Sequence, residues 1–278
     1  MHQLGDLQFH VVSGGPFFLD GGAMFGIIPR PLWTRLYAPD DRGRIRLDTN
    51  CLLVRTGREC LLIDTGNGPK MDEKERSIFG LAPGAPLLTN LAELGVSPAD
   101  VTMVLFSHLH MDHCGGASHW DADRLVPTFP NARFVAQRRE WEDALTNRSH
   151  MRTSYRRENL NPLAVSGRLE LLDGDAAIAP GVSVQVTGGH TPGHQVVLLR
   201  GGGRTAVFLG DICPTPAHFR PPCNMAYDMD PYATMLAKAE LLARAADEDW
   251  LVLFDHEPDR KAVRIRRDGE EFVALPVE

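Results

Sequence analysis

The stretch SHLHMDHCGG, residues 107–116, places three histidines and one aspartate within six consecutive positions. Chance alone would give the pattern H-x-H-x-D-H in roughly one chain in a thousand of this composition. The motif directly follows VTMVLF, residues 101–106, an apolar run that predicts a buried strand. Imidazole and carboxylate side chains gathered at the end of a strand indicate a metal site.

The spacing within this motif favours two ions over one. Because residues two apart in an extended chain point the same way, His108 and His110 are expected to converge on one ion. Asp112 and His113 are adjacent in the sequence and face differently, which suits a second ion.

Three further ligand candidates follow other strand-like runs. His190 comes after VTGG, Asp211 ends VFLGD, and His256 lies in VLFDHEP. Each of these residues, taken alone, would more often have only a structural role. Together with the first motif, however, they place five histidines and two aspartates at predicted strand ends. His194 competes with His190 as a ligand. We prefer His190 because it directly follows its strand, and we expect His194 to support the ligands.

The rest of the chain alternates short apolar runs with amphipathic segments, which is typical of sheets that carry helices on their outer faces. Strands are predicted at residues 51–55, 60–64, 101–107, 132–137, 182–187, 195–200, 205–210 and 250–255. Helices are predicted at residues 87–95, 137–145 and 230–249. Long irregular loops, which often cover or form a site, are predicted at residues 13–47, 66–86, 147–167 and 212–230. No linker is visible, so residues 1–278 are expected to form a single α/β domain.

Composition argues against several classes of protein. A net charge of −7 disfavours a nucleic-acid partner, and no apolar run is long enough for a membrane span. With no apparent leader and five cysteines but no C-x-x-C pair, the protein is expected to be cytoplasmic with reduced thiols. Cys114 and Cys213 lie beside the ligand motifs, where we expect small buried side chains rather than metal ligands.

The ligand motifs, together with LLIDTG at residues 61–66, resemble the dinuclear metallo-β-lactamase superfamily over roughly residues 45–260. The resemblance implies an α/β fold built as a four-layer αββα sandwich, with the metals at one edge of the two sheets. It implies that the first ion is held by His108, His110 and His190, and the second by Asp112, His113 and His256. Asp211 would bridge the two ions, and Asp64 would support the ligand loops.

The reaction implied by this resemblance is hydrolysis by two divalent ions. This donor set suits zinc, which we expect, and also iron, manganese or cobalt. Ions about 3.5–4 Å apart would hold a bridging hydroxide at neutral pH, so that no serine or cysteine nucleophile is needed. Asp112 is the expected catalytic residue, because it could pass a proton to the leaving group as well as bind a metal.

The full ligand set resembles the lactonase and esterase branch of the superfamily, which implies a small-molecule lactone or ester as substrate. Phosphotriester hydrolysis and thiolester hydrolysis on the same site are alternatives, as is a metal-binding protein without catalysis. One position departs from the pattern. Many acyl-homoserine lactonases carry a tyrosine three residues after the bridging aspartate, where this chain has Pro214, and Tyr227 is a candidate substitute.

Apolar loops are expected to form the walls of the substrate site. The candidate wall residues are Phe25, Trp33, Phe219, Met225 and Tyr227. Packing of these residues in a lid or a homodimer interface is the alternative. The arginine-rich segment at residues 147–158 is expected to be a solvated face, with recognition of an acidic substrate tail as the alternative.

Overall fold

The computed structural model describes residues 1–146 and 153–277. Its strands are β1 (His2–Leu4), β2 (Leu7–Asp20), β3 (Arg44–Thr56), β4 (Glu59–Ile63), β5 (Met103–Leu105), β6 (Ser118–Asp121), β7 (Arg124–Pro127), β8 (Arg133–Gln137), β9 (Leu169–Leu172), β10 (Ala176–Ala179), β11 (Val182–Val186), β12 (Gln195–Gly201), β13 (Arg204–Phe208), β14 (Leu251–Leu253), β15 (Ala262–Asp268) and β16 (Glu271–Pro276). Its α-helices are α1 (Gly21–Phe25), α2 (Arg30–Trp33), α3 (Glu73–Phe79), α4 (Pro86–Glu93), α5 (Met111–Cys114), α6 (Arg138–Thr146), α7 (Arg157–Ala164) and α8 (Pro231–Asp247). Short 3₁₀ turns lie at Pro98–Asp100, Gly115–Ala117, Gly210–Ile212 and Pro216–His218.

Two seven-stranded mixed sheets form the centre of the fold. The first has the strand order β1-β2-β3-β4-β5-β8-β9, the second has the order β10 to β16 in sequence, and β6 and β7 form a separate ribbon. Strands β4, β5, β8 and β9 run parallel in the first sheet, as do β13 and β14 in the second. Parallel strands end at the same edge of their sheet, so the residues that follow them are brought close together.

The two sheets pack face to face and carry helices on their outer faces. Apolar side chains from both inner faces form one buried cluster, which includes Leu52, Leu61, Leu105, Val197 and Phe208. Helices α4, α6 and α7 cover the outer face of the first sheet, and α8 covers that of the second. Central strands are therefore buried on both faces, which is why they read as continuous apolar runs. The predicted αββα sandwich is confirmed.

All eight predicted strands and all three predicted helices are present, with ends that differ by some residues. The last helix begins as predicted, because Asp230 accepts a hydrogen bond from the Ala233 amide (2.9 Å) and Pro231 follows at the first helical position. The loop predicted at 13–47 is wrong at both ends, since β2 continues to Asp20, which pairs with Arg44 of β3.

The composition of residues 13–16 explains this error. The register of β2 against β3 shifts between Ser13 and Pro16, so the strand carries a bulge at Gly14 and Gly15, and Pro16 follows it. Bulges are among the few places in a strand that accept glycine and proline, and their composition resembles that of a loop.

The other predicted loops contain short helices and turns. Helix α3 lies within residues 66–86, and the 3₁₀ turns at Gly210–Ile212 and Pro216–His218 lie in or beside residues 212–230. None of the described helices is long and apolar enough to span a membrane.

The arginine-rich segment is only partly described, because residues 147–152 lie outside the described residues. Of its remaining arginines, Arg156 lies 2.7 Å from the Glu75 carboxylate with its side chain only 15% exposed. Arg157 donates to the Leu145 carbonyl (3.1 Å). Arg156 therefore ties α7 to α3 instead of forming a solvated face.

Candidate metal centre

The ligand candidates lie beyond the ends of strands from both sheets. The motif at 107–113 follows β5 of the first sheet and enters α5. In the second sheet, His190 follows β11, Asp211 follows β13 and His256 follows β14. Because the sheets pack face to face, these strand ends meet at one edge of the sandwich.

A first group of side chains converges there. It comprises His108, His110, His190 and Asp211, all buried, with their ligand atoms within 4.8 Å of one another. His190 Nε2 lies 3.0 Å from His110 Nδ1 and 3.0 Å from Asp211 Oδ2. His108 Nε2 lies 3.7 Å from the same Asp211 oxygen.

A second group lies beside the first and includes the same aspartate. It comprises His113, Asp211, Asp255 and His256, again within 4.8 Å of one another. His256 Nε2 is 3.0 Å from Asp211 Oδ1, and His113 Nε2 is 3.7 Å from Asp211 Oδ2. Asp112 stands at its edge, 3.7 Å from His256 Nε2 and 3.9 Å from His113 Nε2.

The Asp211 carboxylate joins the two groups. Burial would raise its pKa, but the imidazoles of His190, His256 and His113 outweigh burial and hold that pKa well below its usual range. The side chain is therefore an anion. Its Oδ1 faces His256 of the second group, and its Oδ2 lies between the first group and His113. This is the geometry of a ligand shared by two cations.

Several donor atoms here lack hydrogen-bond partners. Within residues 1–146 and 153–277, His108 Nε2, His113 Nε2 and Asp211 Oδ1 are buried and accept or donate no hydrogen bond. Buried polar atoms are costly when unpaired, and a coordinated cation would satisfy them. Burial, helped by neighbouring imidazoles, lowers the pKa of His108 and His110 well below 6.5, which keeps them in the neutral form that binds metal. The residues fit a metal pair.

Asp64 supports the motif loop from β4. Its carboxylate accepts hydrogen bonds from the Ser107 amide (2.8 Å) and the Ser107 hydroxyl (2.6 Å), and it lies 2.9 Å from His113 Nδ1. Asp64 itself adopts a positive φ of 58°, which is uncommon for a residue other than glycine. These contacts orient His113 with Nε2 toward the centre.

Two other histidines are oriented in the same manner. His256 Nδ1 lies 2.9 Å from the Asp48 carbonyl, and His190 Nδ1 lies 2.9 Å from Asp228 Oδ1. Nδ1 therefore serves as the donor and Nε2 is left for a metal. Sequence reasoning missed Asp228, which lies in a segment without periodicity and 38 positions from its partner.

Glu140 of α6 was also missed. Its buried carboxylate accepts hydrogen bonds from the Leu109 amide (3.0 Å), the Tyr155 hydroxyl (2.9 Å) and the Thr191 hydroxyl (2.7 Å). Leu109 and Thr191 adjoin ligands of the first group, so Glu140 fixes two ligand loops at once.

His194 lies behind the first group. Its Nδ1 is 2.6 Å from the Thr187 hydroxyl, and its ring centre is 5.4 Å from that of His108. It belongs to neither group of converging ligand atoms. A side chain on Gly210 would meet His194 Nε2 at 2.7 Å, so a glycine at 210 leaves room for this ring next to Asp211.

A cavity of about 120 Å³ opens above the two groups. Its floor is formed by His110, Asp112, His190, Asp211 and His256. Its other walls are mainly apolar and comprise Leu19, Met24, Phe79, Met111, Thr153, Ser154, Met225 and Tyr227.

Only two of the five expected wall residues, Met225 and Tyr227, line this cavity. Phe25 and Trp33 are buried and stack on each other at 5.8 Å between ring centres, inside a cluster beneath β2 and β3. Phe219 packs against Phe254 at 5.8 Å, on the helix-covered face of the second sheet. For these three residues the expectation is corrected, because neighbouring apolar side chains bury them away from the cavity.

The two cysteines near the motifs are buried and point away from the ligand groups. Cys114 Sγ lies 3.3 Å from the Leu109 carbonyl, and Cys213 Sγ lies 3.7 Å from the Thr215 carbonyl. Burial raises the pKa of both thiols to about 12, so both stay protonated at neutral pH.

Comparison with known proteins places this geometry in a family. A family model described as the metallo-beta-lactamase superfamily matches residues 44–256. An N-acyl homoserine lactonase of Bacillus thuringiensis is 26% identical over 238 residues, 78% of this chain and 84% of that protein.

Solved structures have the same fold. The crystal structure of a probable metal-dependent hydrolase from Staphylococcus aureus is 32% identical, with a TM-score of 0.92 over 100% of this chain and 99% of that one. The dizinc quorum-quenching lactonase AidC is 22% identical, with a TM-score of 0.82 over 100% and 96% of the two chains. The family match spans most of the chain and includes every residue of both ligand groups, and the chain belongs to the metallo-β-lactamase superfamily.

Proposed function

We propose that this protein is a dinuclear metallohydrolase that opens lactones or cleaves small carboxylic esters. One observation carries the proposal: the Asp211 carboxylate is shared by two groups of buried histidines at the floor of an apolar cavity. The similarity to an N-acyl homoserine lactonase supports lactones and esters as the substrate class.

The proposed centre holds two divalent ions. His108, His110 and His190 hold the first, Asp112, His113 and His256 hold the second, and Asp211 contributes to both. Zinc suits these nitrogen and oxygen donors, and iron, manganese or cobalt could use the same set. When bound, the ions supply Lewis acidity and lower the pKa of coordinated water toward about 7.

Asp112 has the position of a proton carrier in this proposal. It lines the cavity, and its side chain remains 13% exposed while the other ligands are almost fully buried. A carboxylate between the second group and the cavity can take a proton from the attacking water and deliver it to the leaving oxygen.

Tyr227 has the position of a substrate-orienting donor. It lines the cavity, where burial and the charges of Asp20, Asp112 and Asp211 raise its pKa to about 12. Its hydroxyl stays protonated at neutral pH and can donate a hydrogen bond to a carbonyl oxygen. We therefore propose that Tyr227 takes the role for which other lactonases use a tyrosine at the position of Pro214.

The cavity walls favour a neutral, partly apolar substrate. Leu19, Met24, Phe79 and Met111 offer apolar contact to an acyl chain or a small ring. These contacts support a lactone or ester with an apolar acyl group as the substrate.

A hydrolysis panel on protein of defined metal content tests the proposal. The panel contains an N-acyl homoserine lactone, an aryl ester, a phosphotriester, a thiolester and a β-lactam. We expect the lactone and the aryl ester to be turned over fastest, the β-lactam slowest, and every activity to vanish with chelator and return with metal. Absence of turnover with two ions bound would favour a metal-binding protein without catalysis. Chelator-resistant turnover would overturn the proposed centre.

A further inference from the structure

Asp255 is a buried carboxylate beside the proposed metal pair, and it lies outside the ligand set expected from the sequence. It directly precedes His256 beyond the end of β14 and is only 1% exposed. Its main-chain carbonyl accepts a hydrogen bond from the Asn50 amide (2.7 Å), which fixes its place between the two sheets.

The side chain of Asp255 lacks a hydrogen-bond partner in the part of the chain that the structure describes. Across residues 1–146 and 153–277, neither of its two carboxylate oxygens takes part in a hydrogen bond, and both are buried. The cost of burying a carboxylate is high unless a cation or a donor compensates for it. The Lys261 ammonium, on the loop that follows, pairs with Asp48 at 2.8 Å.

The position of this carboxylate indicates what could offset the cost of its burial. A carboxylate oxygen of Asp255 lies within 4.8 Å of the ligand atoms of His113, Asp211 and His256. The distance from Asp255 Oδ2 to His256 Nε2 is 3.9 Å, comparable to the 3.7 Å that separates Asp112 Oδ2 from the same nitrogen.

We propose that Asp255 is an additional metal ligand, which binds the ion held by His113 and His256. This rests on the dinuclear centre proposed above. The second site would then have two imidazoles and three carboxylates, from Asp112, Asp211 and Asp255, whereas the first has three imidazoles and one carboxylate. Oxygen-rich sites suit manganese and similar hard ions better than nitrogen-rich ones do, so the second site should accept Mn²⁺ more readily than the first.

The test is metal binding by Asp255→Asn, which keeps the shape of the side chain and removes its charge. Metal-free protein is titrated with Mn²⁺ and, separately, with Zn²⁺ in competition with a chromophoric chelator, and Mn²⁺ binding is followed by electron paramagnetic resonance. In the variant we expect the second ion to bind at least tenfold more weakly, with a larger loss for Mn²⁺ than for Zn²⁺. The first ion should bind as in the wild type.

Asp259→Asn is the matched control, since this aspartate lies on the same loop with its side chain 77% exposed. It should bind both ions as the wild type does. Wild-type affinity and metal preference in Asp255→Asn would overturn the role of Asp255. A wild-type protein that binds only one ion would instead refute the dinuclear centre, so the two failures are distinguishable.

Two measurements guard against a variant that fails to fold. Asp255→Asn should lower the melting temperature more with saturating metal than without metal, because the variant gains less stability from the bound ion. An equal change in melting temperature in both states would contradict the proposal. In the wild-type protein, anomalous diffraction from metal-soaked crystals should place an Asp255 oxygen about 2.0–2.2 Å from the second ion, and a distance beyond van der Waals contact would overturn it.

Discussion

Replacing Asp64 by Asn tests how strongly the second group of ligands depends on its support. One Asp64 oxygen accepts from the Ser107 amide at 2.8 Å, and the other contacts the Ser107 hydroxyl at 2.6 Å and His113 Nδ1 at 2.9 Å. Asparagine has only one oxygen to offer. If that oxygen keeps the hydrogen bond from the Ser107 amide, the NH₂ group of the asparagine faces the N–H donor of His113. The hydrogen bond that orients the imidazole is then lost.

The size of the effect follows from this contact. A hydrogen bond to a charged group contributes about 1.5–3 kcal/mol. At about 1.4 kcal/mol per tenfold, losing the His113 contact should weaken binding of the second ion by about 10–100-fold. The first ion should be affected less, because Asp64 reaches its ligands indirectly, through the Ser107 hydroxyl that lies 3.2 Å from His108 Nδ1.

Chelator competition on metal-free protein measures both affinities, and circular dichroism checks that the variant is folded. Asp100→Asn is a suitable control, since this aspartate also accepts hydrogen bonds from a serine, Ser97, but is exposed and lies outside the site. Binding of both ions by Asp64→Asn within about twofold of the wild type would refute the supporting role.

Three further outcomes are expected. Asp112→Asn should lower kcat by about 100-fold or more, because it removes a ligand and the proposed proton carrier. Steady-state kinetics at saturating metal measure this loss, and a loss below tenfold would contradict the expectation. Replacing Cys114 and Cys213 by Ala should leave kcat within a few-fold and yield no trapped acyl-enzyme by mass spectrometry, since both buried thiols have a pKa of about 12. Metal affinity should rise with pH through neutrality. Burial lowers the pKa of both His113 and His190, but nearby carboxylates outweigh burial. Asp112 and Asp211 raise the pKa of His113 to about 9, and Asp211 and Asp228 raise that of His190 to about 10, so protons must leave before metal binds. A flat affinity profile would contradict this.

The ligand motif could be predicted because its information is local. An apolar strand followed by His108, His110, Asp112 and His113 specifies both the ligands and their place at a strand end. The central strands could also be predicted from the sequence, because strands buried on both faces consist of long runs of aliphatic residues.

The rest depends on contacts between distant parts of the chain. Glu140 reaches Thr191 across 51 positions, and no periodicity in the sequence marks such a pair. Phe25 and Trp33 were expected in the substrate walls because the bulge in β2 gave the whole region the composition of a loop. Once β2 and β3 are seen to pair along their length, both rings fall into the core beneath them.

The most direct test of the shared carboxylate is the number of metals bound by Asp211→Ala and by the wild type after reconstitution and removal of loosely bound ions. Elemental analysis should find two ions per wild-type chain, and each site of the variant should lose affinity, because the Asp211 carboxylate lies against imidazoles of both groups. His256→Ala, a change confined to the second group, should retain one ion. A wild-type chain that binds one ion, or an Asp211→Ala chain that retains two at wild-type affinity, would contradict the central claim.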